Sequence, residues 1–461
     1  MQMDTKFKES LLAIVGEDNF TDALIDLVSF SYDSSGLNQR PEAAVWVQTT
    51  EQVAAVLKLA NTYKVPITPR GAGTSLTGSA VPRQGGIVLD MSRMNKILAI
   101  SIEDRQVIVQ PGVVFDDLNH ELADSGFFFP PHPASGKVAT IGGNVATNAG
   151  GVKGAKYGTT RDYVLDLEVV LPDGSILHTG SRTMKCVSGY DLTRLFVGSE
   201  GSLGVVTEIS LKINPLPQAT MTCTATFDSM RQAGRAVGAI MRSGIIPSVL
   251  ELMDSPSLQA VNKATDLDLP EVAAMLLVET DGFTQNEVDG QMAVIIEALK
   301  SNGAEQIAKA STVEEAEKLW AARKAIYGVL TRLNYNVLAE DIVVPISKVA
   351  DMLETVMAIS ERSGIMIATV AHAGDGNIHP VIVYDGTDPE EVKKVKQVEA
   401  DLFKLAIEMG GTLTGEHGVG MSKAAYMELE HDPVFMKVMN GLKALFDPNA
   451  ILNPGKLGLN I

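Results

Sequence analysis

The sequence predicts an α+β protein with more than one domain, each combining sheet and helices. Three observations lead there. The chain has 461 residues, more than one compact core holds, so two or three domains are expected. Residues 45–70 read as strand, helix, strand, and residues 164–213 return to alternating strand patterns. At Asn214-Pro-Leu-Pro217 the composition shifts, and beyond it strands such as Met221–Phe227 alternate with helices such as Met230–Ser243.

Taken in order, Val45-Trp-Val-Gln is a short apolar run. Thr50 is placed as N-cap of a helix over Glu51–Lys64, where Val53, Val56, Leu57 and Ala60 recur at helical spacing. Val65-Pro-Ile-Thr-Pro leads into a glycine-rich loop, Arg70 to Gly78. Strand-like runs follow at Ile87–Met91, Ile97–Ile102 and Gln106–Gln110, then a helix near Phe115–Ser125. From 132 to 160 the residues are nearly all small. Such a stretch cannot fill a core with its own side chains, and backbone lying against a flat ligand would explain it. Turns are expected at Pro172-Asp-Gly174 and Gly198–Gly204, and the last segment closes on Asn453-Pro-Gly455.

The net charge of −18 excludes nucleic acid and an anionic membrane surface as partners, because either needs a basic patch and no Lys/Arg run occurs. Two cysteines, Cys186 and Cys223, cannot supply a disulfide framework, a cysteine-ligated zinc site or an iron–sulfur cluster. No apolar run approaches 18 residues, and Leu11–Val15 is too short for a signal segment. A reduced, cytoplasmic, soluble enzyme is the expectation.

Gly71-Ala-Gly73-Thr-Ser-Leu-Thr-Gly78 lacks the third glycine of a dinucleotide fingerprint and the Gly-Lys-Ser/Thr of a P-loop. A glycine turn beside Arg70 suits either a pyrophosphate or a plain tight turn.

Ile367–His372 and Ile378–Tyr384 are strand-like. A two-residue turn at Asp375-Gly376 would set His372 directly opposite His379, close enough to share one divalent ion. Considered alone, paired strand histidines are more often structural. As ligands they need a third, for which Glu416 is the candidate; two histidines and a carboxylate suit Zn²⁺, Fe²⁺ or Mn²⁺. His417, next in sequence, has the chemistry of a general base near neutral pH. Leu319, Arg323, Ile326, Tyr327, Leu330 and Leu333 share helical spacing along Trp320–Leu333. Arg323 therefore lies in an apolar stripe, where it needs either a substrate carboxylate or an internal partner such as Glu340 or Asp341. His120, His178 and His431 read as ordinary surface or satisfied residues.

Together, several blocks resemble those of the vanillyl-alcohol-oxidase-type FAD proteins. The nearest group is the FAD-linked D-lactate dehydrogenases, glycolate oxidases and D-2-hydroxyglutarate dehydrogenases. The blocks are Pro69-Arg-Gly-Ala-Gly-Thr-Ser75, His132–Gly143, Asn148-Ala-Gly-Gly151, Gly198–Val206, His372–His379, Gly415–Gly420 and Asn453-Pro-Gly-Lys456, spread over residues 35–457. The resemblance implies a two-subdomain FAD-binding domain over 1–215, a substrate or cap domain with an antiparallel sheet over 216–415, and a segment over 416–461 returning to the first. It implies that Pro69, Arg70, Gly71, Ala72, Gly73, Thr74, Ser75 and Gly78 hold the FAD pyrophosphate. Ser135, Thr140, Ile141, Gly142, Gly143, Asn148, Gly150 and Gly151 would line the flavin and ribityl chain, continued by Glu200, Gly201, Gly204, Val205, Val206 and Asn453. Where covalently flavinylated relatives commonly carry a histidine before the loop serine, this chain has Thr74, so the FAD is expected to be noncovalent.

The resemblance further makes His372, His379 and Glu416 the ligands of one divalent metal, His417 the catalytic base, and Arg323 the anchor of the substrate carboxylate, with Tyr327 beside it. Relatives acting on D-2-hydroxyglutarate tend to carry a lysine downstream for the second carboxylate. Asn336–Asp341 has none, which favours D-lactate, then glycolate. The implied activity is dehydrogenation of a D-2-hydroxy acid, with electrons passed to an electron-transfer flavoprotein or an iron–sulfur subunit. The alternatives are a D-2-hydroxyglutarate dehydrogenase and a FAD-holding electron-transfer subunit without its own turnover, though the latter needs neither the histidines nor Glu416. An alkyl-dihydroxyacetone-phosphate synthase would want clustered histidines near the C-terminal block, and none are there.

Overall fold

The computed structural model describes residues 3–332 and 336–459, and its contacts divide the chain into two units. The first comprises Met1–Gly150, Thr159–Leu216 and Glu416–Ile461; the second comprises Gly151–Gly158 and Pro217–Gly415.

The first unit holds two principal sheets. In one, Ala43–Trp46, Ile87–Asp90 and Ile67–Arg70 run parallel, with the short strand Phe20–Thr21 antiparallel on the edge. Parallel strands need a crossover, and the helix Thr50–Tyr63 provides it. Its Val53, Val56, Leu57 and Ala60 are fully buried against Ala43, Val45, Ile67 and Leu89. Thr49, not Thr50, caps this helix, its hydroxyl accepting from Gln52 N. Thr49 keeps an extended backbone, as an N-cap does, while Thr50 is already helical.

The other sheet is antiparallel, in the order Ile97–Ser101, Gln106–Val109, Val205–Lys212, Val164–Val170, Ile176–His178. It packs on the helix Phe115–Ala123 through Phe115, Leu118 and Leu122. Within the small-residue stretch Ile141–Thr147 is a short helix capped by the Thr140 hydroxyl, and Gly154–Tyr157, part of the second unit, is another.

The second unit is one eight-stranded antiparallel sheet. Its main order is Ile307–Lys309, Ala219–Phe227, Ala274–Gly282, Val249–Asp254, Met366–His372, Asn377–Tyr384, Asn336–Ala339, and Ile342–Val343 also pairs with Asn377–Tyr384. The helices Ser255–Ala264 and Val313–Leu330 cover one face, burying Leu258, Val261, Ala322, Ile326, Val329 and Leu330 against Met253, Leu277, Val370 and Val381. The Arg323 helix therefore starts earlier than its stripe suggested, and Leu333 lies outside the described residues. Among the described residues no helix is long and apolar enough to cross a membrane.

Candidate functional site

In the first unit, the glycine loop follows the strand Ile67–Arg70. Gly73 has φ +72°, and a Cβ there would lie 2.1 Å from Arg70 Nη2, so the guanidinium packs directly under the loop. Arg70 is 8% exposed and donates to the carbonyls of Ser29 and Ala80, both at 3.4 Å. Burial pulls its pKa down, opposed by Asp33 and Asp90. Its hydrogen bonds thus brace the loop, while Gly71 to Leu76 above it stay accessible. Several glycines of the field answer to the protein's own atoms. Gly71 is pressed by the Thr140 hydroxyl, which a Cβ would approach to 2.3 Å, and Gly142 by Pro111 at 2.5 Å.

Three distant blocks are tied here by one carboxylate. Glu200, 4% exposed, accepts from Val419 N at 2.7 Å, from Gly420 N at 3.0 Å and from the Ser79 hydroxyl at 2.9 Å. Burial pushes its carboxyl above the ordinary range, against the pull of those donors and Lys456. Asn453 Nδ2 then donates to the carbonyls of Ser79 and Glu200, at 2.9 and 2.7 Å. The Thr77 hydroxyl donates to the His417 carbonyl at 3.4 Å, so the His417 backbone is held by the same glycine loop. Asn148 ends the Ile141–Thr147 helix at φ +56° and accepts from Arg161 N at 2.8 Å, closing the loop that follows.

Charge adds a second feature. The chain carries 56 acidic residues, yet none falls between Glu51 and Asp90 or between Asp124 and Asp162, the two stretches that hold the glycine blocks. Accessible backbone N–H groups on stretches that carry no carboxylate of their own fit the pyrophosphate of FAD.

In the second unit, the expected two-residue hairpin is instead a four-residue turn, Ala373–Gly376. His372 pairs with Asn377, and His379 pairs with Val370. Gly376 has φ +85°, and a Cβ there would stand 2.1 Å from the Val344 carbonyl, so the turn closes only with glycine. The shift is an even number of residues, so both histidines keep the same face and become diagonal neighbours. Their ring centroids are 4.9 Å apart, and each is 6% exposed.

Each ring is held from behind. His372 Nδ1 donates to Glu251 Oε1 at 2.5 Å, and His379 Nδ1 donates to the Glu340 carbonyl at 3.1 Å. With both Nδ1 positions protonated, the lone pairs lie on Nε2, the arrangement that ligating histidines take. Glu251 is wholly buried and also accepts Arg323 Nε at 2.6 Å. Burial alone would push its carboxyl up, but His372 and Arg323 hold it below the ordinary value. The internal partner of Arg323 is therefore Glu251, not Glu340 or Asp341. Asp341 instead accepts the Thr414 hydroxyl at 2.6 Å and Gly415 N at 3.0 Å, fixing the chain one residue before Glu416. Tyr327, one turn beyond Arg323, is 44% exposed.

The structure thus brings Arg323, His372 and His379 together in the second unit, to which Gly151 also belongs. Glu416 and His417 belong to the first unit, where Glu416 Oε2 lies 2.8 Å from where a Gly150 Cβ would stand. Sequence reasoning missed Glu251, whose signal was a lone carboxylate inside the apolar run Val249-Leu-Glu-Leu-Met253.

Comparison with known proteins finds two family models along the chain. Residues 41–180 match the FAD binding domain model, and residues 216–457 match the C-terminal domain of the FAD linked oxidases. The glycolate oxidase subunit GlcD of Bacillus subtilis is 42% identical over 98% of this chain and 96% of its own. A D-lactate dehydrogenase of Anaerostipes hadrus is 36% identical over 99% of this chain and 97% of its own. The solved structure of p-cresol methylhydroxylase with substrate bound covers 98% of this chain and 96% of its own, with a TM-score of 0.83 and 22% identity, a likeness of fold.

Proposed function

The chain belongs to the FAD-linked oxidases and has their vanillyl-alcohol-oxidase-type fold, and from that premise we propose that it oxidises a small D-2-hydroxy acid, D-lactate before glycolate, to the 2-keto acid. It is a FAD-dependent oxidoreductase. The observation that carries the substrate class is Arg323. Among the described residues its one hydrogen bond runs through Nε to Glu251, so the Nη edge remains for a carboxylate.

Arg323 binds the substrate carboxylate. His417 takes the proton of the 2-hydroxyl, and the hydrogen on C2 leaves as hydride. His372 and His379, with Glu416 as third ligand, would hold one divalent ion of Zn²⁺, Fe²⁺ or Mn²⁺. FAD supplies a two-electron acceptor, and the ion a Lewis acid that lowers the hydroxyl pKa. The nitrogen donors, oriented through their Nδ1 bonds, are what supports the metal assignment. The FAD is held without a covalent bond at Thr74, by the Gly71–Ser75 loop and the Glu200–Asn453 cluster behind it. Asn336–Asp341 contains no lysine for a second carboxylate, which supports a monocarboxylate over D-2-hydroxyglutarate.

Electrons leave to a partner protein, an electron-transfer flavoprotein or an iron–sulfur subunit. Cys186 is exposed and Cys223 buried, and two such thiols hold no cluster. The Bacillus relative is itself named a subunit.

The test is anaerobic mixing with D-lactate, L-lactate, glycolate and D-2-hydroxyglutarate while flavin absorbance is followed. D-lactate should bleach the flavin fastest. A flavin that none of the four reduces would leave the protein an electron carrier without its own turnover.

A further inference from the structure

Glu251 lies on the strand Val249–Asp254, inside the eight-stranded sheet, with Leu277 across from it on one side and His372 on the other. Its two oxygens are divided. Oε1 takes the His372 Nδ1–H at 2.5 Å and Oε2 takes the Arg323 Nε–H at 2.6 Å, and these are its two partners among the described residues. A carboxylate with no solvent exposure is tolerated because both oxygens meet donors.

Two constraints follow. An acceptor at Nδ1 places the His372 proton there and the lone pair on Nε2. An acceptor at Nε fixes the roll of the Arg323 guanidinium and so the direction of its Nη edge. His379 gets its orientation separately, from the Glu340 carbonyl, so only His372 shares its support with Arg323.

We propose that Glu251 is a positioning residue that couples ion affinity to substrate affinity, selecting the coordinating nitrogen of His372 with one oxygen and aiming Arg323 with the other. The inference rests on the reading of His372 and His379 as ligands and of Arg323 as the carboxylate anchor.

The sharp test is Glu251→Gln, because an amide has one acceptor where the site needs two. With its oxygen toward Arg323, its NH₂ faces His372 Nδ1 and drives the ring proton to Nε2. Flipped, it sets NH₂ against the Arg323 Nε–H. FAD-loaded protein stripped of metal would be titrated with Mn²⁺ and with Zn²⁺. Glu251→Gln should bind the ions about 10–100-fold more weakly than the unaltered protein, and KM for D-lactate should rise as well.

In an Arg323→Met background the amide oxygen is released to His372. The double variant Arg323→Met/Glu251→Gln should therefore bind the ion more tightly than Glu251→Gln alone, a recovery that a merely structural glutamate does not produce. A folded Glu251→Gln with unaltered ion affinity, or a double variant without recovery, overturns the proposal while leaving the ligand assignment standing. Unaltered protein that binds neither ion overturns the ligand assignment and this inference with it. Should Glu251→Gln not fold, ¹⁵N spectra of histidine-labelled, metal-free, FAD-loaded unaltered protein decide, with His372 assigned by its absence in His372→Gln. Protonation at Nδ1 is expected, and protonation at Nε2 overturns the proposal.

Discussion

Glu200 accepts the backbone N–H of Val419 at 2.7 Å, across 219 positions of sequence. Together with Gly420 N and the Ser79 hydroxyl, that bond makes one buried carboxylate the tie between three blocks of the flavin-binding unit. Glu200→Ala should leave three buried donors unmet, at about 1–3 kcal/mol each. It should lower the melting temperature by at least about 5 °C and shed FAD. Glu200→Gln keeps an acceptor of the same shape and should be much milder. Flavin fluorescence during thermal unfolding measures both, and equal losses in the two variants would contradict the account.

His372→Ala and His379→Ala should each lose the divalent ion and nearly all turnover while keeping FAD. Metal analysis beside the flavin spectrum is the check. Full metal occupancy in both variants would return the pair to a structural role.

Arg323→Lys keeps the positive charge but loses the planar fork that serves Glu251 and a carboxylate at once. KM for D-lactate should rise about tenfold or more, the equivalent of about 1.4 kcal/mol, with flavin content unchanged. Steady-state kinetics with a dye acceptor decide it, and an unaltered KM would leave Arg323 a salt-bridge partner of Glu251.

The two thiols should behave oppositely. Cys186 is exposed, and hydrogen bonds from Ser188 and then Ser181 hold its pKa below the usual thiol value, whereas burial pushes Cys223 up to about 12. Thiolate is the reacting form, so Cys186 labelling should rise with pH and level off earlier than for a free cysteine. Folded protein at neutral pH should take up one equivalent of maleimide, and urea should release the second. Two equivalents taken up by folded protein would refute this.

Acid precipitation should release all yellow colour to the supernatant, because Thr74 provides no covalent attachment at the usual loop position. Colour kept by the pellet would show a bond elsewhere.

The local features of the fold were legible in sequence. Val53, Val56, Leu57 and Ala60 form a buried stripe because helical spacing alone decides which face they share. The hairpin was legible only in part. A turn of either two or four residues places His372 and His379 on one face, but their offset depends on a loop closed by Gly376 against Val344, which lies outside the hairpin. The partner of Arg323 was out of reach for a different reason. Glu251 precedes it by 72 residues and arrives through strand pairing, which no local pattern encodes. At Gly71 and Gly142 a side chain is also shut out from the protein's own side, by Thr140 and Pro111, and neither approach is encoded in a local pattern.

The order of the chain sets an order of assembly. Ribosomal synthesis completes the second unit at Gly415, while the first still lacks everything from Glu416 onward. The missing residues include the Val419 and Gly420 donors to Glu200, Asn453, and Lys456, whose ammonium donates to the Val81 carbonyl. Until they emerge, Glu200 lacks its Val419 and Gly420 donors, and Ile67 lacks its bridge to Leu452. A premature stop before Val419 would leave a finished second unit attached to a first unit without any of these ties, a product for proteolysis rather than a weakened enzyme.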